Sequence, residues 1–415
     1  MKKKILIIGN GAKEYALAKK LSETNDIYIT PASDTLNEIA TCLDIREDNI
    51  QELLEFVMEN GIDLTIATSG KAIKADIATY FAGNNQAIFA PSSKAADIVY
   101  NKCAAKKTLY KLRIPTPKFG IFEKSNNAHD CVKNKEFPYI LKTNDSNSAV
   151  IVTSSNISKN IIESVFSEKN KKIIVEDYVY GQPFSFYAIT DGYKALPIGS
   201  SLLYKHKLEG DGGQLTGGMG ACVPNYKLSI DNEYFLMDNV IYPTLEYLES
   251  CGSPYLGVIG VNGIISGDNE LCILGWHSFM QDSDAASILD LIDDDFVNLM
   301  ESCVIGSFSD VVNHINIKDL QSVSVVLNCS NIDNSENVIN GLDSLSENTI
   351  LTYYPSVKKN RYMEYEAKNG AVLILTSSAA SLSRAKNLIS DEINEINFKG
   401  LYYRKDICNI NYSLV

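Results

Sequence analysis

A chain of 415 residues, at ~100–200 residues per domain, holds two to four compact units and is too long for a peptide or a single module. With 45% hydrophobic and 21% charged residues it fits neither a disordered tail nor a membrane bundle. Its 38 Lys and Arg against 51 Asp and Glu leave a net charge of −13, which argues against nucleic-acid and membrane partners but allows a local basic pocket for a small phosphate.

The chain opens on Lys2-Lys3-Lys4 and Ile5-Leu6-Ile7-Ile8, but this apolar run stops at Gly9. A secretory core needs ~7–15 apolar residues, and a membrane span about 18; a cytoplasmic protein is expected. The nine cysteines never fall within four residues of one another, which excludes CxxC redox and zinc spacings. They read as buried thiols in a reducing compartment.

Over the first hundred residues, short apolar runs predict buried strands at Lys4 to Ile8, Ile27 to Ile29, Leu64 to Ala67 and Ala87 to Ala90. Between them Tyr15, Ala18 and Leu21, and then Ile50, Leu53, Leu54 and Val57, recur at helical spacing. Alternating strands and helices imply a parallel, doubly wound sheet. Gly9-Asn10-Gly11 follows the first strand, where glycine lets a phosphate approach a helix N-terminus. The third glycine of a dinucleotide fingerprint is replaced by Glu14 and no acid closes the second strand, so NAD is not expected. A tight strand-to-helix turn and a small phosphate site both remain open.

An amphipathic helix is predicted from about Ser93 to Leu112, ended by Ile114-Pro115-Thr116-Pro117. Closer-spaced strands follow at Tyr139 to Lys142, Ala149 to Val152, Lys172 to Glu176 and Phe184 to Ile189, with a helix near Ser158 to Ser167. They suggest a small α+β lobe with antiparallel pairing. Lys142 and Glu176 close their strands; a lysine there can meet nucleotide phosphates and a carboxylate can accept from an adenine amino group, although either alone reads as an exposed strand end.

Residues 210–220 hold six glycines in eleven positions, ending in Thr216-Gly217-Gly218-Met219-Gly220. So dense a cluster buries little and persists where backbone lies against a ligand; the alternative is a loose surface loop. A helix near 233–250 precedes strands at Leu256 to Ile265 and Glu270 to Leu274, joined by the hairpin signal Ser266-Gly267-Asp268-Asn269. His277 has no second histidine or cysteine at ligand spacing. Asp282, Asp284, Asp290 and Asp293 to Asp295 imitate a hard-metal site, with Asp268, Asp282 and Asp284 the candidates for oxygen donors, but such a run more often reads as a solvated face. The last unit has strands near Val323 to Leu327 and Ala371 to Leu375 and a helix near 380–394.

Taken in order, Ile7 to Gly11, Phe89-Ala90-Pro91-Ser92, Lys102 and Lys106, Ile114 to Pro117, Lys142, Glu176, Thr216 to Gly220 and Tyr403-Arg404-Lys405-Asp406-Ile407 make a specific combination. Over nearly its whole length the chain resembles the glycinamide ribonucleotide synthetases, the phosphoribosylamine-glycine ligase family. The resemblance implies an α/β ATP-grasp architecture: a Rossmann-like N-terminal domain over 1–100, an ATP-grasp domain over 101–319 with a small lobe at about 120–190, and an α+β C-terminal domain over 320–415. It implies ADP-forming carboxylate-amine ligation in purine synthesis. ATP phosphorylates glycine, and the amine of 5-phosphoribosylamine attacks the acyl phosphate. ATP-binding positions would be Lys102, Lys142, Glu176 and Val179, and the catalytic charge Lys205. Gly9, Asn10, Gly11, Thr216, Gly217, Gly218, Met219 and Gly220 would face substrate. A monomer or weak dimer is expected.

Several family positions differ. The family's magnesium-binding Glu-Phe-Asn is Gly275-Trp276-His277 here, so the resemblance implies ATP and magnesium while the donor residues for magnesium are missing and no metal ligand is assigned. The phosphate loop reads Thr143-Asn144-Asp145-Ser146-Asn147-Ser148-Ala149, without glycine or cation. Gly181-Gln182-Pro183 replaces the ribose-binding acid, and Leu203-Tyr204-Lys205-His206 keeps only the lysine of Asp-His-Lys-Arg. Lys13-Glu14-Tyr15 stands for Arg-Glu-His and Thr68-Ser69-Gly70 for Gly-Pro-Glu. Phosphoryl transfer relies on metal and cations for charge neutralisation. These departures therefore raise two alternatives: an inactive paralogue serving as a metabolite- or partner-binding scaffold, and a ligase with changed substrates.

Overall fold

The computed structural model describes residues 2–144, 149–168, 171–330, 337–346, 349–355 and 357–409. Strands β1 (Lys4–Ile8), β2 (Asp26–Thr30), β3 (Thr41–Cys42), β4 (Leu64–Ala67) and β5 (Ile88–Phe89) form a parallel sheet in the order β3-β2-β1-β4-β5. Alternation along β1 decides its two faces: Ile5 and Ile7 pack under the helix Ala12–Ser22, while Leu6 and Ile8 meet Leu53, Leu54 and Val57 of the helix Ile50–Asn60. The doubly wound expectation holds; the two-residue β3 carries too little pattern to be read from sequence.

The single helix expected from Ser93 to Leu112 is two, Asp97–Tyr100 and Lys102–Lys111. Asn101 leaves helical backbone and its side chain caps the second helix by accepting from the Ala104 N–H. The antiparallel sheet of the small lobe comprises β6 (Phe119–Phe122), β7 (Tyr139–Thr143), β8 (Ala149–Val152) and β9 (Ile173–Asp177), in the order β6-β9-β7-β8. The strand expected at Phe184 to Ile189 is β10 (Gln182–Thr190), and it leaves this lobe for the large sheet, against the grouping drawn from spacing alone.

Among the described residues that large sheet has nine strands, the two-residue strand Leu401–Tyr402 among them. β10 lies between β15 (Gly257–Ile265) and β11 (Ala195–Leu203), with β16 (Leu271–His277) at one edge. Beyond β11 come β14 (Gly220–Val223), β17 (Gln321–Cys329), β21 (Gly370–Ala379) and β18 (Leu351–Tyr353). The C-terminal residues thus extend the same sheet through the β14–β17 pairing, Gly220 opposite Val325 to Val223 opposite Ser322. The nine-residue β11 escaped the sequence reading because Pro197, Gly199, Ser200 and Ser201 dilute its apolar pattern.

The helix expected near 233–250 runs from Ile230 to Ser250 with a π-helical turn over Met237–Ile241. Pro243 explains it, having no N–H to donate and a ring that crowds the carbonyl four residues back. The helix Asp282–Leu291, buried along most of its length, packs between the helix Ala12–Ser22 and the large sheet and so ties the N-terminal unit to it. The cysteine reading needs correction: Cys222 and Cys408 are joined as a disulfide, and Cys131 and Cys251 are exposed. Partners 186 residues apart leave no spacing signal.

Candidate active site

In the small lobe, Ile140 lies opposite Glu176 and Lys142 opposite Ile174, so Lys142 and Glu176 share one face of the sheet. Glu176, 1% exposed, forms ion pairs with both Lys142 and Lys106. Burial pushes the Glu176 carboxyl upward, but the two ammonium groups outweigh it and hold the group below the usual carboxylate range. Lys106 reaches the pair from the helix Lys102–Lys111 and also donates to Thr116 Oγ1 at 2.9 Å. Sequence reading placed Lys106 in this helix without giving it a role; only the helix-to-lobe packing shows one.

Lys102 stands at the start of the same helix. Its N–H donates to the Asn144 carbonyl at 3.2 Å, and the Asn144 side chain accepts from the Cys103 N–H at 2.9 Å, fixing the helix against the end of β7. Burial, and then the neighbouring Lys142, pushes the Lys102 amine down to about 8. Val179 is half-buried in the connection between β9 and β10. Asp145 and Ser146 to Ser148 of the expected phosphate loop lie outside the described residues.

The second group assembles around the start of the helix Asp282–Leu291. Lys205 donates to the Gly217 carbonyl at 3.0 Å and to Gln281 Oε1 at 2.6 Å, and burial pushes its amine down to about 8. Gln281 donates onward to Ser185 Oγ at 3.0 Å. Asp284, with no exposed surface, accepts from Tyr187 at 3.0 Å, Ser201 at 2.8 Å and the Gln281 N–H at 3.0 Å. Burial still lifts its carboxyl to about 6. The glycine loop folds over Lys205: Thr216 N–H donates to the Lys205 carbonyl and Met219 N–H to the Tyr204 carbonyl. A Cβ on Gly218 would fall 2.7 Å from Ser283 Oγ, so glycine is what lets the loop lie on this helix. Gln281, Asp284, Tyr187 and Ser201 were missed as a unit, and only the acidic Gln-Asp-Ser-Asp that opens a helix hinted at them.

Gly9 to Gly11 approach the same helix from the other side. The Gly11 N–H donates to Glu14 Oε2 at 2.9 Å, and the Lys13 N–H to Asp282 Oδ1 at 3.0 Å. These N-terminal helix amides are thus taken by the protein's own carboxylates, which supports the tight-turn reading of the loop. Asn10 is exposed. Of the acidic residues read as a solvated face, Asp282, Asp293 and Asp295 are exposed and Asp290 and Asp294 half-buried, and only Asp284 is buried. Asp295 also caps the helix Phe296–Val304, Asp290 accepts from Ser378, and Asp294 holds Asn316. From the C-terminal segment, Arg404, 2% exposed, ion-pairs with Asp211 at 2.7 Å and with Asp406, and donates to the His206 carbonyl. Asp406 accepts from the Gly210 N–H at 2.9 Å, so the Arg-Lys-Asp-Ile segment clamps the loop before β13 (Gly212–Leu215).

His277 ends β16 between the two groups. Burial, with the ammonium groups of Lys205 and Lys102, pushes its imidazole down to about 3, so the ring is neutral at pH 7. Its Nε2 is buried without a hydrogen-bond partner among the described residues. The fold family implies magnesium beside the phosphates. Gly275 supplies no side-chain oxygen, and among the described residues no group of three or more His, Cys, Asp or Glu is placed to hold a metal. A hard cation takes oxygen ligands, and these residues do not fit it.

Residues 3–98 match the model of the phosphoribosylglycinamide synthetase N domain, and residues 100–284 that of its ATP-grasp (A) domain. The phosphoribosylamine-glycine ligase of Caldanaerobacter subterraneus subsp. tengcongensis is 27% identical over 418 residues, covering 97% of this chain and 99% of that protein. That of Halalkalibacterium halodurans is 26% identical, covering 97% and 96%. In structure, the chain is similar to the phosphoribosylamine-glycine ligase of Thermotoga maritima, with a TM-score of 0.80, 19% identity and coverage of 98% and 100%. It is also similar to the biotin carboxylase domain of Hydrogenobacter thermophilus 2-oxoglutarate carboxylase, solved with MgADP, at a TM-score of 0.75, 14% identity and coverage of 97% and 92%. At these identities the structures speak for the ATP-grasp fold alone.

Proposed function

The chain belongs to the phosphoribosylglycinamide synthetase family of purine biosynthesis, and from that membership we propose that it carries out ADP-forming ligation of glycine to 5-phosphoribosylamine. The supporting observation is the meeting of two groups across His277: Lys102, Lys106, Lys142 and Glu176 on the nucleotide side, and Lys205 with the glycine loop on the substrate side. Lys142 and Lys102 hold phosphate oxygens, with Glu176 orienting Lys142. Val179 lies where backbone meets adenine. Lys205, fixed by Gln281 and the Gly217 carbonyl, offers its ammonium to the oxygens of the transferring phosphoryl group and of the acyl phosphate. Thr216 to Gly220 shape the substrate side, and Gly9 to Gly11 hold the Glu14 turn beside it.

The test is ADP release from ATP, glycine and freshly generated phosphoribosylamine. Turnover above ~0.1 s⁻¹, near the low end for enzymes, that requires both substrates is expected; no substrate-dependent release refutes the ligase reading. A second reading, a scaffold that binds metabolite or partner without turnover, rests on the missing oxygen donors at Gly275 to His277. It predicts ligand-induced stabilisation with no ADP formed. Among the described residues no helix is long and apolar enough to cross a membrane. We place the protein in the cytoplasm as a monomer or weak dimer acting on small molecules.

A further inference from the structure

The face of the large sheet beneath the two groups is set by register. Gly260 lies opposite His277 and Asn262 opposite Gly275, while Tyr187 and Ser185 lie opposite Gly260 and Asn262 on the other side. Ser185, Tyr187, Asn262, Gly275 and His277 therefore share one face, the face that Gln281 and Asp284 cover through their bonds to Ser185 and Tyr187. Two polar atoms on it, His277 Nε2 and Asn262 Oδ1, are buried and have no hydrogen-bond partner among the described residues. Magnesium beside a nucleotide is ordinarily held by one or two protein carboxylates together with phosphate and water, and of these two atoms one is an imidazole nitrogen and the other an amide oxygen, neither a carboxylate. The lysines on either side of His277 add a second obstacle, because two ammonium groups repel a divalent cation from the position where it would bridge phosphates. The same lysines suit the phosphates themselves. Lys102 and Lys205 have no ion pair to a carboxylate among the described residues, whereas Lys106 and Lys142 share Glu176.

We propose that this site binds a nucleoside polyphosphate without a divalent cation, its phosphate charge met by Lys102, Lys142 and Lys205 and by an N–H donated from the unpartnered Nε2 of His277. The inference rests on the nucleotide-binding reading above. It replaces a metal bridge by fixed ammonium groups, which need no bound ion to enter the site with the nucleotide.

Calorimetric titration of the wild-type chain with a non-hydrolysable ATP analogue, once in excess EDTA and once in millimolar magnesium, tests it. Binding in EDTA at least as tight as in magnesium is expected, because magnesium withdraws the free analogue from solution and its chelate carries a cation toward Lys102 and Lys205. Binding more than about tenfold tighter with magnesium overturns the inference and leaves the nucleotide reading standing. Absence of binding in both buffers overturns both. Lys102→Gln should weaken binding at least about tenfold in EDTA, with no recovery on adding magnesium. Unchanged affinity in a variant with the wild-type circular dichroism spectrum would remove Lys102 from the phosphate site and overturn the proposal.

Discussion

Replacing Glu176 by glutamine is the sharpest test of how the nucleotide side is built. The side chain is 1% exposed, and its partners Lys106 and Lys142 have side chains 3% and 12% exposed. Glu176→Gln keeps the shape and removes the charge, leaving two ammonium groups in a buried pocket with nothing to balance them. Breaking one buried pair from one side costs ~3–5 kcal/mol. With about 2.1 cal/mol/K of unfolding entropy per residue, a 415-residue chain unfolding as one unit loses ~3–6 °C in Tm. The sign with pH is fixed by the depressed Glu176 pKa. Its contribution is fully present above the ordinary 4.5 and is lost as pH falls through the lower folded value. The gap between wild type and variant should therefore be full at pH 7 and close below about pH 4.5. Differential scanning calorimetry across this range reads it. A Tm within about 1 °C of wild type at pH 7, or a gap that does not change on acidification, would refute the buried-pair account.

Three further outcomes follow from other parts of the site. Gly220→Ala places a Cβ 2.3 Å from the Ser324 carbonyl at φ +153°, whereas Gly210→Ala at φ +63° meets open space. Chemical denaturation should show a loss above ~3 kcal/mol for the first and ~1 kcal/mol for the second, and the reverse order would contradict the placement of the loop. Arg404→Met strands Asp211 and Asp406 and should cost ~3 kcal/mol, with faster amide exchange over 206–215; unchanged exchange there means that the clamp does not hold the loop. Because burial places the Lys102 and Lys205 amines at about 8, both are mainly charged at pH 7 and mainly neutral at pH 9. Nucleotide affinity should fall about tenfold over that range for each lysine that meets phosphate, and a flat titration would exclude both from contact.

Much of the fold was legible because period-2 and period-3.6 patterns survive wherever one face is buried. β1, β2, β4, the helix Ile50–Asn60 and the hairpin at 266–269 stand where the apolar spacing put them. β11 did not, since a strand interrupted by Pro197 and Gly199 keeps its place through neighbours rather than through its own pattern. The break at Asn101 was hidden because an N-cap asparagine inside an amphipathic run looks like one more polar position. At the site, Lys142 and Glu176 were visible as strand ends. Their third member, Lys106, was not, because a helix-to-sheet contact 70 residues apart leaves no local trace. The same holds for Lys205 with Gln281, and for Arg404 with Asp211: each pair is created by topology.

The β14–β17 pairing also determines how the molecule can flex and how it can be cut. Hydrogen-bonded strands cannot swing apart, so β17, β21 and β18 move with the rest of the large sheet as one plate. Among the described residues the four-stranded sheet shares no strand with that plate, so no ladder of backbone hydrogen bonds ties the two together. Severing the chain near residue 320 would strip β14 of one partner and bare a row of amides and carbonyls, a template for self-association. A truncated protein ending there should precipitate rather than persist in solution as a smaller folded unit.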